Sequence, residues 1–112
     1  MMLPTDGYLL RVFIGESDKF EGKPLYEWIV LQARAQGMAG ATVTRGIMGF
    51  GAHSRLHTFK IERLSLDLPI IIEIVDEKAK LEQFLGFIDT KIEEGMATLE
   101  KAQIHFYRGR TP

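Results

Sequence analysis

Two stretches of this 112-residue sequence are apolar on both of the faces that a strand presents. The first is YLLRVFI, Tyr8 to Ile14, where Tyr8, Leu10, Val12 and Ile14 alternate with Leu9 and Phe13. The second is LPIIIEIVD, Leu68 to Asp76, where Ile71 and Val75 share the second face with Glu73. Successive strand side chains point to opposite faces, so a sheet built on these segments must be covered twice. Only two stretches carry the spacing of an amphipathic helix. In LYEWIVLQARAQG, Leu25, Trp28, Ile29 and Ala33 recur at intervals of three and four; in DEKAKLEQFLGFIDTKI, Leu81, Phe84, Leu85, Ile88 and Ile92 form one stripe. Two helices cover one face of a small sheet. The remaining apolar face predicts contact with another subunit.

Local signals set the order of the elements. Pro24 suits a helix start, because its missing N–H costs nothing there. Gly37 is a natural stop for the first helix, and Gly95 for the second. Asp76 can cap the second helix, and Glu77 favours its positive end. A short strand is predicted over Gly40 to Arg45, a half-exposed strand over His57 to Leu64, and a last strand over Gln103 to Arg108, with Ile104 and Phe106 on one face. The order is β-α-β, a hairpin, then β-α-β. That is the split βαβ, ferredoxin-like unit, an α+β fold with both helices on one face of an antiparallel sheet. Trp28 and Phe84 fall at core spacing and read as packing.

Several classes of function are excluded or disfavoured. The formal net charge of −1 lacks the basic excess that drives general nucleic-acid binding. The sequence has no cysteine, so disulfides, iron–sulfur clusters and zinc–thiolate sites are impossible. No apolar run approaches the roughly 20 residues that span a bilayer, and the N-terminus lacks a signal-peptide pattern. These features predict a cytoplasmic protein with no direct membrane insertion. Glu16, Asp18 and Glu21 share a glycine-bounded loop and read as solvated charges rather than a catalytic acid pair. Ser17, Ser54 and Ser65 have no nucleophile context. His53, His57 and His105 form no metal-binding set, and His53 reads as a hydrogen-bonding loop residue. The expectation is a protein without catalytic or metal-ligating residues.

The segment RGIMGFGAHSR, Arg45 to Arg55, is the strongest candidate for a binding site. Gly46, Gly49 and Gly51 leave the backbone bare between two strands. Successive N–H groups in such turns can form a nest for an anion. Arg45 and Arg55 flank the loop, and arginine suits bidentate contact with phosphate.

The segments IGESDKFEGKPLYE and GATVTRGIMGFGAHS, followed by LPIIIEIVDE, resemble those of the PII nitrogen-regulatory signalling proteins. They resemble still more closely a PII-like family known as domain of unknown function 190. The resemblance runs from Tyr8 to Arg108. It implies a single PII-like, ferredoxin-like domain over residues 1–112 and a homotrimer with the sheets facing inward. Gly49, Phe50 and Gly51 match the motif that opens the long PII loop. Counting from Gly95, Lys101 falls where PII proteins place a phosphate-binding lysine. Thr98 and Glu100 stand where the PII loop has glycines, which favours a smaller anionic load such as a monophosphate. Arg108 and Arg110 stand in for two arginines that PII proteins contribute from the next subunit. The resemblance thus implies a signalling protein rather than an enzyme. It would bind a small anion, with an adenine nucleotide as effector, between subunits, and would report through the glycine-rich loop to a partner such as a membrane transporter or channel. The alternative is an adaptor or structural trimer that binds a protein partner and no small molecule. A third class, an enzyme or a metal-tolerance protein like the related trimeric CutA family, lacks a supporting residue cluster.

Overall fold

The computed structural model describes residues 6–52, 57–58 and 67–110. Its frame is a four-stranded antiparallel sheet. The strands are β1 (Asp6–Gly15), β4 (Thr42–Arg45), β7 (Pro69–Asp76) and β8 (Met96–Gln103), in the order β4-β7-β1-β8. Between them lie two-residue strands: β2 (Lys19–Phe20) pairs with β3 (Lys23–Pro24), and β5 (Met48–Gly49) pairs with β6 (His57–Thr58). The helices are α1 (Leu25–Ala35) and α2 (Lys78–Asp89). The split βαβ order is thus present, with the two apolar strands β1 and β7 at its centre.

Register fixes which side chains share a face. Leu10 opposes Ile74, Val12 opposes Ile72 and Ile14 opposes Ile70. All six are buried, together with Leu25, Ile29 and Ala33 from α1 and Leu81, Phe84 and Ile88 from α2. That is the core, and it lies between the helices and one sheet face. The alternate residues form the other face: Leu9, Arg11 and Phe13 oppose Val75, Glu73 and Ile71. Thr42 and Thr44 extend this face at one side, and Met96, Thr98 and Glu100 at the other. No helix of the described residues covers it, as the two-faced strands predicted.

The ends of α1 follow their sequence signals; α2 departs from them, since its N-cap is Glu77 rather than Asp76 and it ends at Asp89 with Thr90 as C-cap, short of Ile92 and Gly95. Pro24 is the N-cap of α1. At its far end Gly37 takes φ +77°, its N–H reaches the Arg34 carbonyl, and the N–H of Met38 reaches the Ala33 carbonyl. This pair of bonds is the Schellman arrangement, which needs a left-handed residue that glycine supplies without strain. At α2, one Asp76 carboxylate oxygen accepts the N–H of Glu77 at 2.7 Å.

The last strand lies earlier than expected. β8 ends at Gln103, and Ile104 to Arg110 form neither helix nor strand. QIHFYR has the stronger β-propensity, yet the pairing partner decides the strand. β1 offers a full edge, and MATLEKAQ aligns along it from Phe13↔Met96 to Asp6↔Gln103. The turn at Gly95 leads straight into that register. Of the strand expected over His57 to Leu64, only His57–Thr58 lie within the described residues.

Candidate functional site

The base of the glycine loop opens onto a cleft of about 750 Å³ at one end of the sheet. β1 contributes Phe13 and Gly15, the start of β7 contributes Pro69, and the start of β8 contributes Gly95 and Met96. Gly49 to Ala52 form the wall on the loop side. Two of the loop glycines are small for a packing reason. A Cβ at Gly46 would lie 2.8 Å from Pro69 Cγ, and one at Gly49 would lie 2.9 Å from the same atom. The Gly46 N–H donates to the Pro69 carbonyl at 2.7 Å. Pro69 thus fixes the loop base, and it can do so only if those positions carry no side chain. Gly95 is tighter still. Its Cβ would stand 2.6 Å from the Phe13 carbonyl oxygen, a backbone atom.

The described lining of the cleft carries negative charge. Asp18, Asp67 and Glu94 line it, and no lysine, arginine or histidine does so among the described residues. The two aspartates also organise the backbone. Asp18 Oδ2 accepts the Gly15 N–H at 3.0 Å, and Asp67 Oδ1 accepts the Ser17 N–H at 2.8 Å. Burial pushes the Asp18 carboxyl above its ordinary range. The hydrogen bond from Gly15 opposes that rise, and the charges of Asp67, Glu94 and Glu93 add to it. Asp18 is therefore half-buried and lines the cleft, where the sequence suggested a solvated loop. Asp67 and Glu94 were not singled out by the sequence at all. Their only signal was the run of short-range turns at Gly15 and Gly95, since the three acids are far apart in the chain. Among the described residues, no group of three histidine, cysteine, aspartate or glutamate side chains is placed to hold a metal ion.

The structure brings Gly49, Phe50 and Gly51 together at this cleft, with Gly46 beside them on Pro69. His53 and Arg55 lie outside the described residues. Arg45 ends β4 nearby, but its Nη1 pairs with Glu16 Oε2 at 2.9 Å. Lys101 is elsewhere. It pairs with Tyr8 in the register of β8, five residues beyond Met96, or roughly 17 Å along the strand. Its alternation places it on the helix-side face. Arg108 and Arg110 follow the far end of β8. Within one chain, then, neither the lysine nor the two arginines reach the glycine cleft.

The far end of the sheet has a cavity of its own, about 580 Å³, under the segment that follows β8. Ile104 to Tyr107 cross there toward the α1–β4 connection, and the Tyr107 hydroxyl donates to the Ala39 carbonyl at 2.5 Å. The N–H of Ala39 donates to Asp76 Oδ2 at 2.9 Å, and Lys80 Nζ donates to the Gly37 carbonyl at 2.9 Å. Asp76 is fully buried. This knot ties the C-terminal segment, α1, β4 and α2 together. Beyond it, the Arg108 guanidinium stands 4.5 Å from the centre of the exposed Phe106 ring.

A ferredoxin-like sheet with two helices on one face and a glycine loop opening beside the sheet end is the architecture of the PII-like proteins, and solved structures agree. CPII from Thiomonas intermedia K12, a nitrogen regulatory PII-like protein solved with ADP, AMP and bicarbonate, superposes with a TM-score of 0.64, 17% identity and 88% coverage of each chain. A putative PII-like signaling protein from Thermus thermophilus gives 0.64 at 16% identity, covering 92% of this chain and 93% of its own. The family follows from the sequence. Residues 7–104 match the DUF190 model, described as Uncharacterized ACR, COG1993, and the chain belongs to that family. A UPF0166 protein of Aquifex aeolicus is 40% identical over 86% of this chain and 90% of its own length. Another, of Methanocaldococcus jannaschii, is 36% identical over 92% and 94%.

Proposed function

We propose that this chain is a PII-like regulatory protein that works as a homotrimer and binds a small anionic ligand, an adenine nucleotide, between subunits. The observation that carries the reading is the cleft at the loop base. It is large enough for a nucleotide-sized molecule, it is lined by backbone at Gly49 to Gly51, and it adjoins the segment that would transmit a change. Sheet-inward packing would cover the apolar second face. An assembly that sets the far end of one sheet beside the near end of the next would bring Arg108 and Arg110 of a neighbour to the cleft, where they would supply positive charge that its described lining lacks. CPII, with the same fold, is described as bound to ADP and AMP, which supports an adenine nucleotide as effector. Ligand binding would select among conformations of the loop. Ile47, Met48 and Phe50 are 80%, 56% and 74% exposed, an apolar set at the loop base suited to a protein partner. A membrane transporter or channel fits that role. No described helix is long and apolar enough to cross a membrane itself. The reading is of a binding protein, not an enzyme.

The same exposed residues favour the second reading, an adaptor trimer without a small molecule. Thermal unfolding separates the two. The panel is ATP, ADP, AMP, cyclic nucleotides, phosphate, bicarbonate and fluoride, each with and without magnesium. A ligand present at about 100 Kd and bound only by the folded state adds about 2.7 kcal/mol. The nucleotide reading expects a selective rise with one adenine nucleotide, lost when Gly51 is replaced by a bulky residue. A flat panel in a protein confirmed as a trimer would refute it in favour of the adaptor.

A further inference from the structure

Three carboxylates line the cleft at the loop base, and the fold holds two of them in place. Asp18 closes the turn that follows β1. Its N–H donates to the Gly15 carbonyl at 3.2 Å, and its Oδ2 accepts the Gly15 N–H at 3.0 Å. Asp67 comes from the connection into β7 and lies against the same turn. Its Oδ1 accepts the Ser17 N–H at 2.8 Å. A Cβ at Gly15 would stand 2.6 Å from that oxygen and 3.0 Å from Oδ2, so the bare Gly15 leaves room for the Asp67 carboxylate at the wall. Both aspartates are half-buried, and Glu94, from the connection into β8, is exposed. Their fields meet in the cleft: the Asp18 carboxyl, raised first by burial, is raised further by the charges of Asp67, Glu94 and Glu93. The rest of the described lining is uncharged. Phe13, Phe50, Pro69 and Met96 give it apolar surface, and the glycines give it backbone.

We infer that Asp18, Asp67 and Glu94 set the ligand specificity of this cleft by repulsion, so that an adenine nucleotide with one phosphate is preferred over its diphosphate and triphosphate. This rests on the nucleotide reading proposed above and adds which nucleotide the site takes. The carboxylates hold no ligand themselves. They act against excess charge on a molecule held by backbone and apolar contacts. Discrimination arises from like charges set against the wrong ligand as well as from contacts to the right one. A phosphate monoester carries about −1.5 to −2 near neutral pH, and each added phosphoryl group makes the ligand more negative. The two arginines proposed to come from a neighbour set two positive charges against the three negative ones, so assembly alone leaves the balance unfavourable to a polyphosphate. Thr98 and Glu100 are not the source of this selection. They lie along β8 opposite Arg11 and Leu9, outside the described lining. Burial ranks the three acids. Partly buried charges are screened less than exposed ones, so Asp18 and Asp67 weigh more than Glu94. Their backbone hydrogen bonds also keep them at the wall, and neither can turn away from an entering anion without giving up a bond.

The test is isothermal titration calorimetry of AMP, ADP and ATP in EDTA, on the wild type, Asp18→Asn, Asp67→Asn and Glu94→Gln. Asparagine keeps an acceptor oxygen for the Gly15 or Ser17 N–H, and far-UV circular dichroism checks that each variant is folded. The wild type should bind AMP most tightly, then ADP, then ATP. D18N and D67N should each narrow the ratio of AMP to ATP affinity by about threefold or more, since a single charge pair 4 Å apart in water changes a binding constant about fivefold. E94Q should narrow it less, and added salt should narrow it in the wild type. A wild type that binds ATP as tightly as AMP in EDTA, or a ratio unmoved in both D18N and D67N, would overturn the inference and leave a nucleotide-binding cleft standing. A wild type that binds none of the three would overturn the nucleotide reading and the inference with it.

Discussion

Asp76 is a polar residue whose loss should cost this fold heavily. It is fully buried, yet it is a carboxylate. One oxygen accepts the Glu77 N–H at 2.7 Å and the other accepts the Ala39 N–H at 2.9 Å, with Lys80 Nζ at 3.4 Å. Asp76→Ala deletes the acceptor of two backbone donors at once. A buried donor left without a partner costs about 1–3 kcal/mol, or about 2–6 kcal/mol for two; both bonds here are part-buried, so the expected loss is in the lower part of that range, about 2–4 kcal/mol. Lys80 adds little, because its side chain is 29% exposed and can turn to water. Asp76→Asn keeps one oxygen and should lose about half as much. The assay is urea denaturation at fixed subunit concentration, since assembly makes apparent stability concentration-dependent. Hydrogen exchange gives a second readout. The amides of Met38 to Ala41 should exchange faster in D76A even under conditions where the core strands stay protected. A loss below about 1 kcal/mol with unchanged exchange would show that both amides find water, and the buried carboxylate would then not be what orders the α1–β4 connection.

Three further outcomes follow from the same contacts. Gly95→Ala places a methyl group against the Phe13 carbonyl oxygen and should destabilise by about 1–3 kcal/mol, the usual cost of overpacking; a neutral thermal midpoint would refute the close approach. Gly49→Ala should be destabilising in the wild type but much less so with Pro69→Ala, because the clash is with the proline ring; additive losses in that double-mutant cycle would count against Pro69 as the anchor of the loop base. For Asp18, the folded pKa is raised, so its ionisation in the folded state is a cost that grows as pH rises through the interval between the unfolded and folded values. Asp18→Asn, which can still accept from Gly15, should therefore raise the thermal midpoint at pH 7 and confer no gain below about pH 3.9, where both states are protonated; an equal gain at both pH values would point to packing instead.

The parts of this protein legible in its sequence are those set by short-range pattern. Leu9 and Phe13 alternating with Leu10 and Val12 announced a strand covered on both faces. Pro24 and Gly37 bracketed α1, and the stripe from Leu81 to Ile88 marked α2. β8 was misplaced because its sequence, MATLEKAQ, is a poor strand by propensity, and what makes it one is the open edge of β1. Lys101, reached by counting from Gly95, lies in β8 opposite Tyr8, at the other end of the sheet from the cleft within one chain. The acidic lining was hidden for a different reason. Asp18, Asp67 and Glu94 come from three connections whose proximity depends on β1, β7 and β8 starting or ending at the same edge. The glycines were visible, but not one cause of them at Gly46 and Gly49, which is the close approach of the Pro69 ring.

That cause bears on how the loop could be switched. Pro69 begins β7, the strand that runs on through Glu73 to Asp76. Its carbonyl holds Gly46 and its ring sits over Gly49, so the loop base cannot shift without moving against a central strand of the sheet. A ligand in the cleft would touch the loop beyond that anchor, at Phe50 and Gly51, where the backbone has left β5. The cleft also meets any phosphate with the carboxylates of Asp18, Asp67 and Glu94. A bare polyphosphate would be repelled there unless a neighbour's arginines or a magnesium ion offset them. In the proposed function, the acidic charge of the described lining makes nucleotide binding depend on assembly. In the proposed reading, a neighbour that supplies Arg108 and Arg110 would complete the site, and a lone subunit would bind nucleotide poorly, if at all. Nucleotide affinity measured across a subunit dilution series, with sedimentation velocity following assembly, should fall as the trimer dissociates; affinity independent of assembly would place the phosphate elsewhere on the chain.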